Sequence, residues 1–158
     1  MDRHPAYDDD FYAWTQDQAR RLRDAAAERV NAPIDWENLA EEVESMERSE
    51  VRALGSALMW VIEHLLKLEH APAADRRPGW EESVLTHRVA AWEEMEASPS
   101  LCGRIDLERR YQDARRFAAR GMARDGLPES VLPDACPYTL EQVLDHDWWP
   151  VNRHGLED

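Results

Sequence analysis

The stretch that decides the fold runs from Asp35 to His70 and reads DWENLAEEVESMERSEVRALGSALMWVIEHLLKLEH. Its apolar side chains recur at steps of three, four and their multiples, which is the period of one helix face. They are Leu39, Val43, Met46, Leu54, Ala57, Leu58, Val61, Leu65 and Leu68. Asp35 is a good N-cap, so the helix should begin at Trp36. We expect the other helices to pack around this apolar stripe, with Leu58 and Leu65 nearly inaccessible to solvent.

The sequence leaves open whether this stretch forms one helix or two. An unbroken helix from Trp36 to His70 would exceed the usual length of about 8 to 20 residues. Ser49 is able to cap a new helix, whereas Glu47 is a good helix former and favours continuity. Gly55 is a weaker candidate for a bend.

The segments on either side also have the patterns of helices. We predict a first helix from about Asp10 to Arg29 that stops before Pro33, because the residue before a proline avoids the helical region. On the other side, two prolines and a glycine predict a loop over residues 71–79. A helix that ends at Ala97 should follow this loop.

Two patterns in the C-terminal part of the chain predict further helix starts. Ser98 followed by Pro99 is typical of an N-cap with a proline at the first helical position, and the helix that they begin should stop at Gly126. Thr139 with Gln142 three residues later is a capping box. It predicts a short last helix.

No stretch alternates between apolar and polar residues as a strand does, so the sequence predicts an all-α fold. We expect residues 1–158 to form a single-domain helical bundle of four to five main helices, with its core in residues 7–127. Residues 128–150 should dock on this core as a short helix and an irregular tail. A disordered acidic tail is normally poor in aromatic residues, and this one contains Tyr138, Trp148 and Trp149.

The charge balance narrows the classes of partner. In 158 residues, 19 Lys plus Arg stand against 33 Asp plus Glu, which gives a formal net charge of -14. This charge repels phosphate backbones and anionic lipid headgroups, so we expect neither nucleic acid nor a membrane as partner. Cys102 and Cys136 are isolated, which indicates no zinc site or disulfide framework. The N-terminus lacks an apolar signal segment, and a cytoplasmic location fits best.

Several motifs, specific when taken together, resemble the bacterial domain-of-unknown-function family 29. The resemblance covers nearly everything from Tyr7 to Pro150, and it implies an all-helical bacterial protein with no established activity. One departure is Glu47, where members of the family often carry glycine, a residue that favours a helix break. The motifs are Tyr7-Asp8-x-Asp10-Phe11-Tyr12-x-Trp14, Asn38-Leu39-x-Glu41-Glu42-x-Glu44, His64-Leu65-Leu66-Lys67, Trp80 with Arg88, Ser98-Pro99-Ser100-Leu101, and Cys136-Pro137-Tyr138-Thr139-Leu140-Glu141-Gln142.

His64 is the candidate for chemistry, because it falls inside the apolar stripe and should be at least partly buried. If the helices on either side of the 71–79 loop are antiparallel, His87 and Arg88 lie nearly level with it and are within reach. The structural interpretation is a core histidine satisfied by one or two hydrogen bonds. The functional interpretation is a ligand or a proton carrier.

No recognisable catalytic constellation, cofactor motif or metal-ligand spacing accompanies His64. His64 and His70 are six residues apart, which is not the spacing of paired zinc ligands on a helix. The leading functional hypothesis is therefore a non-catalytic module that contacts other proteins, with Trp148 or Trp149 as the contact point. The alternative is a small-molecule or metal-dependent enzyme with a site near His64 and Arg88.

Overall fold

A computed structural model describes residues 7–28 and 34–156 of the chain. Four long helices occur, α1 (Phe11–Ala27), α2 (Trp36–His70), α3 (Arg77–Ala97) and α4 (Leu107–Met122), and a short helix α5 (Leu140–Leu144) follows. Single 3-10 segments lie at Ala74–Arg76, Pro99–Arg104, Ala123–Asp125 and Glu129–Val131. No residue in the described ranges lies in a strand, so the all-α prediction is confirmed.

Helix α2 is unbroken over its 35 residues, which settles the open question in favour of continuity. The helix continues through Gly55, and the small residue there has a packing explanation. A Cβ atom added there would lie 2.5 Å from Nε of Arg110, so the missing side chain leaves room for this guanidinium. The glycine is explained by the close approach of the Arg110 guanidinium and not by backbone conformation.

The predicted apolar stripe is confirmed only in the C-terminal half of α2. Leu58 and Leu65 are fully buried, as expected. Toward the N-terminus the prediction was wrong, since Leu39 and Met46 are 43% and 45% exposed while Ala40 is buried. At about 100° per residue Leu39 lies on the same line of the helix as Ala57, which is buried, so the helical period holds along the whole stripe. What differs between the two ends is whether other elements cover that face, which the period does not specify.

Three predicted boundaries differ from the structure. The loop after α2 is shorter than expected, because Pro78 and Gly79 lie in the first turn of α3. Proline is tolerated there because the N–H groups of the first turn have no acceptor within the helix, so the missing N–H of proline costs no hydrogen bond. The segment after Ser98 is a 3-10 helix, and the longer helix α4 begins after a new N-cap, Asp106. Helix α1 ends at Ala27, and the predicted end at Arg29 lies outside the described residues.

The chain forms two compact units. The first comprises residues 1–54 and 93–105, and the start of α1 is held there by polar contacts. Asp10 caps α1 by accepting a hydrogen bond from Ala13 N at 2.9 Å, and it also accepts from the backbone N and the hydroxyl of Ser100, both at 2.9 Å. Ser98 Oγ accepts from Tyr12 N at 3.2 Å. Two serines from one segment thus fix the N-terminus of α1.

The second unit comprises residues 55–92 and 106–158. Its core contains the buried half of the α2 stripe together with Tyr111, Val143 and Leu144, which are at most 6% exposed. The predicted capping box of α5 is present, since Thr139 Oγ1 accepts from Gln142 N and Gln142 Oε1 accepts from Thr139 N. The C-terminal segment therefore contributes apolar side chains to this core.

Candidate functional site

His64 and His87 lie close together in the second unit and share one neighbour, Ser83. The hydroxyl of Ser83 lies 3.4 Å from Nδ1 of His64 and 3.3 Å from Nδ1 of His87. Each Nδ1 also lies 2.8 Å from the carbonyl oxygen four residues earlier, that of Trp60 or of Ser83. A carbonyl only accepts, so each imidazole carries its proton on Nδ1 when neutral and leaves Nε2 with a free lone pair.

The indole of Trp60 stacks on this pair. Its ring centroid lies 5.9 Å from that of His64 and 5.8 Å from that of His87, and Phe117 stacks at 6.3 Å. Burial lowers the pKa of His64, although its hydrogen bond to the Trp60 carbonyl acts in the opposite direction. His64 is therefore neutral at neutral pH and half-buried, which agrees with its position in the stripe.

The two imidazoles supply two nitrogen lone pairs. Within residues 7–28 and 34–156, no group of three or more His, Cys, Asp or Glu side chains is placed so that it could hold a metal ion. A catalytic zinc site normally has three protein ligands. The histidine pair supplies two ligands and not three. Proton transfer by an imidazole is the other chemistry that these side chains can carry out.

Arg88 has partners on the C-terminal segment. Its side chain is fully buried, and it donates to the carbonyl oxygens of Val143 at 2.9 Å, Gln142 at 3.1 Å and Trp148 at 2.9 Å. Burial lowers the pKa of Arg88 to about 10, while the charge of Asp145 acts in the opposite direction. Arg88 stays cationic at neutral pH and positions the segment that follows α5.

Trp148 and Trp149 are both half-buried on that segment. The Trp148 ring meets Tyr138 edge to face at 5.6 Å, and the guanidinium of Arg88 lies 5.0 Å over the Trp149 ring. The phenol of Tyr138 in turn donates to Glu69 Oε2 at 2.6 Å. Both indoles therefore pack within the unit, and each keeps only part of its surface for another molecule.

An apolar groove of about 490 Å³ lies beside this segment, and sequence reasoning did not find it. Trp92 of α3 lines it together with Leu140 and Leu144 of α5. The Trp92 indole donates to the Leu144 carbonyl at 3.0 Å, which fixes the ring while 40% of the residue stays exposed. Leu85 and Val89, 42% and 50% exposed, precede Trp92 on the same face of α3. This spacing was readable in the sequence, but a helical period does not reveal which faces stay uncovered.

The rim of the groove is acidic. Glu141, Asp145 and Asp147 line it beside His146, and all four are exposed. Asp145 Oδ1 accepts from Asp147 N at 2.9 Å, which holds the turn after α5. Within the part of the chain that the structure describes, none of the three carboxylates forms an ion pair.

Comparison with protein families decides the relationship. The model of the family described as "Domain of unknown function DUF29" matches residues 6–149. The chain belongs to the DUF29 family. Comparison of this DUF29 chain with curated proteins gives no match. It is similar to the 1.45 Å crystal structure of an alpha-helical protein of unknown function from Rhodospirillum rubrum, with a TM-score of 0.81 and 28% identity over 92% of this chain and 93% of that chain.

Several DUF29 motifs have structural explanations in these contacts. Asp10, Tyr12 and Ser98 meet at the start of α1, while Tyr138 and the capping box of Thr139 hold the C-terminal segment. None of the helices in the described ranges has the length and apolar character needed to cross a bilayer. The contacts of these motif residues are structural, and they do not indicate an activity.

Proposed function

We propose that this protein is a non-catalytic protein-interaction module that binds its partner through the groove and the adjoining face of α3. One observation carries the proposal. Leu85, Val89 and Trp92 recur at one-turn and two-turn spacing, and each is 40–50% exposed, next to the groove. Contiguous apolar surface of this kind is typical of interaction sites, whereas isolated exposed apolar side chains are ordinary.

The shape of the site favours a protein over a small molecule. Small-molecule sites are usually concave and bury most of the ligand. Here Leu85 and Val89 extend the apolar surface along the outside of α3. An apolar row on one helix face is suited to receive the apolar face of another helix.

Site-specific photo-crosslinking in the host tests this function. A photoreactive amino acid at Val89 should give one discrete covalent product with another protein, and the product should be lost when Leu85→Asp is added. The matched control is the same amino acid at Glu42, which is also exposed on a helix but lies in the other unit. Absence of a product at Val89, or equal products at both positions, would contradict the proposal.

The second candidate is a small-molecule or metal-dependent enzyme centred on His64 and His87. Its support is the pair of Nδ1–H···O=C hydrogen bonds, since metal-binding histidines are commonly fixed in this way. Elemental analysis of the purified protein separates the two candidates. Stoichiometric metal that disappears in His64→Ala, with the fold retained, would favour the enzyme.

A further inference from the structure

We infer that the groove receives a basic amphipathic helix from a different protein. Apolar side chains of that helix would occupy the surface formed by Val89, Trp92 and Leu140, and its Lys or Arg side chains would face the carboxylates of the rim. This inference rests on the proposed function and specifies the chemistry of the partner.

The charge of the rim is the first argument. Glu141, Asp145 and Asp147 line the groove with three exposed carboxylates, next to its apolar lining residues, and they form no ion pair within the described part of the chain. Arg88 feels the charge of Asp145, but Arg88 is fully buried and already donates to three carbonyl oxygens. Partner cations can therefore complement the rim without breaking an existing contact.

Net charge argues against three other occupants. A second copy of this chain would carry another formal charge of -14, so two acidic rims would approach each other. Nucleic acid and an anionic lipid surface are disfavoured for the same reason. A basic partner gains from long-range attraction as well as from local contacts, which raises the rate of encounter.

The dimensions of the α3 face suggest a helix as the partner element. From Leu85 through Val89 to Trp92 is seven steps along the helix, which corresponds to about 10 Å along its axis. Two turns of a partner helix with apolar residues at positions i, i+4 and i+7 have the same length. Cationic residues on the flanks of that helix would then lie toward the residues that follow α5.

Synthetic peptides provide the probe, and the full-length protein is the receptor. We would compare three peptides of about 18 residues, long enough for a helix. One has leucine at helical spacing with lysine elsewhere, the second has glutamate in place of lysine, and the third shuffles the leucine–lysine sequence. Calorimetry measures affinity, and amide chemical shifts show whether residues 140–147 contact the peptide.

The leucine–lysine peptide should bind at the groove more tightly than the other two, and more weakly as salt is raised from about 0.05 to 0.5 M. The double variant Glu141→Lys with Asp147→Lys should weaken its binding about tenfold. Glu141→Gln with Asp147→Asn should give a smaller loss, and circular dichroism verifies the fold of each variant. Glu42→Lys with Asp75→Lys reverses two exposed charges elsewhere and should change the affinity by less than about twofold.

Two failures can be told apart. If no peptide shifts the resonances of residues 140–147, both the groove and the proposed function are wrong. If the leucine–glutamate peptide binds there as tightly as the leucine–lysine peptide, the groove remains an interaction site but its partner is not basic. Equal binding of the shuffled peptide would overturn the helical element of the inference.

Discussion

Among single residues, Arg88 gives the clearest prediction about stability. It donates to three backbone carbonyls, and its Nη1 atom is buried without a hydrogen-bond partner among the described residues. Arg88→Met keeps the apolar stem but leaves all three carbonyls unsatisfied. We expect the free energy of unfolding to fall by about 2–4 kcal/mol, measured by urea denaturation.

Two further variants serve as controls for the urea denaturation of Arg88→Met. Arg88→Lys should recover only part of the loss, because an ammonium group cannot reproduce the planar fork of donors. Val89→Ala, next in sequence and exposed, should cost less than about 0.5 kcal/mol. A loss below about 1 kcal/mol for Arg88→Met would show that solvent replaces the guanidinium at these carbonyls.

His64 gives a prediction about pH. Burial lowers its pKa from the ordinary value of 6.5, so the unfolded chain binds a proton more readily than the folded chain. The free energy of unfolding should therefore be constant above about pH 7.5 for this group and fall as the pH decreases through 6.5, because stability rises with pH wherever the unfolded state binds more protons.

The measurement compares the wild type with His64→Gln between about pH 7.5 and 5.5, the range in which histidine titrates. The variant should lose less stability over this range than the wild type does. His70, whose pKa is also lowered by burial, supplies part of the remaining slope in both proteins. Parallel curves for the two proteins would mean that His64 protonates equally well in the folded state.

Among the helices, α2 allows a matched comparison within one element. Leu58 and Leu65 are fully buried, whereas Leu39 is 43% exposed on the same helix. Leu58→Ala and Leu65→Ala should each cost about 2–5 kcal/mol, because a cavity adds to the lost transfer free energy. Leu39→Ala should cost less than about 1 kcal/mol. Equal losses in thermal or urea unfolding at Leu39 and Leu58 would refute this assignment of the buried face.

The helices were predictable where local chemistry decides, and less so where packing decides. Asp35 and Thr139 cap helices as predicted, since a side-chain cap acts within a few residues. Leu39 was misplaced because its burial depends on which elements cover it. Ser98 was expected to cap a helix, but it accepts from Tyr12 N, a residue 86 positions away. Such a long-range contact has no signal in a single sequence.

The candidate site was predictable to a similar extent. The expected nearness of His64 and His87 follows from helix geometry, and the structure has both beside Ser83. Arg88 follows His87 directly, yet it points to the C-terminal segment because neighbouring helix positions differ by about 100°. The groove needs the position of α5 beside Trp92, which no local pattern specifies.

At the scale of the whole molecule, the C-terminal segment should be required for stability. Truncation after Pro133 removes the partners of Arg88, Trp92 and Glu69 and uncovers apolar core surface. We expect the thermal midpoint to fall by about 10 °C or more, with visible loss of solubility. Truncation after Leu156 is the matched control and should leave the midpoint where it is. An unchanged midpoint after truncation at Pro133 would mean that the segment is not part of the fold.

A single domain should unfold as one unit, although the chain forms two compact units. Helices α2 and α3 each contribute residues to both compact units without a break in the helix. We therefore predict one cooperative unfolding transition in calorimetry, with a calorimetric enthalpy close to the van't Hoff enthalpy. Two separate transitions would show that the units are independent domains.

The contacts of Arg88 have a consequence for sequence divergence. Arg88 binds the main-chain oxygens of Gln142, Val143 and Trp148, and it makes no use of their side chains in these hydrogen bonds. Exposed positions nearby, such as Glu141 and Asp147, can therefore mutate without loosening the segment. A saturation mutagenesis library scored for folding should tolerate most substitutions at these two positions and almost none at Arg88. On the proposed function, sequence drift at the rim would then change the choice of partner, while the contacts of Arg88 that hold the segment would stay the same.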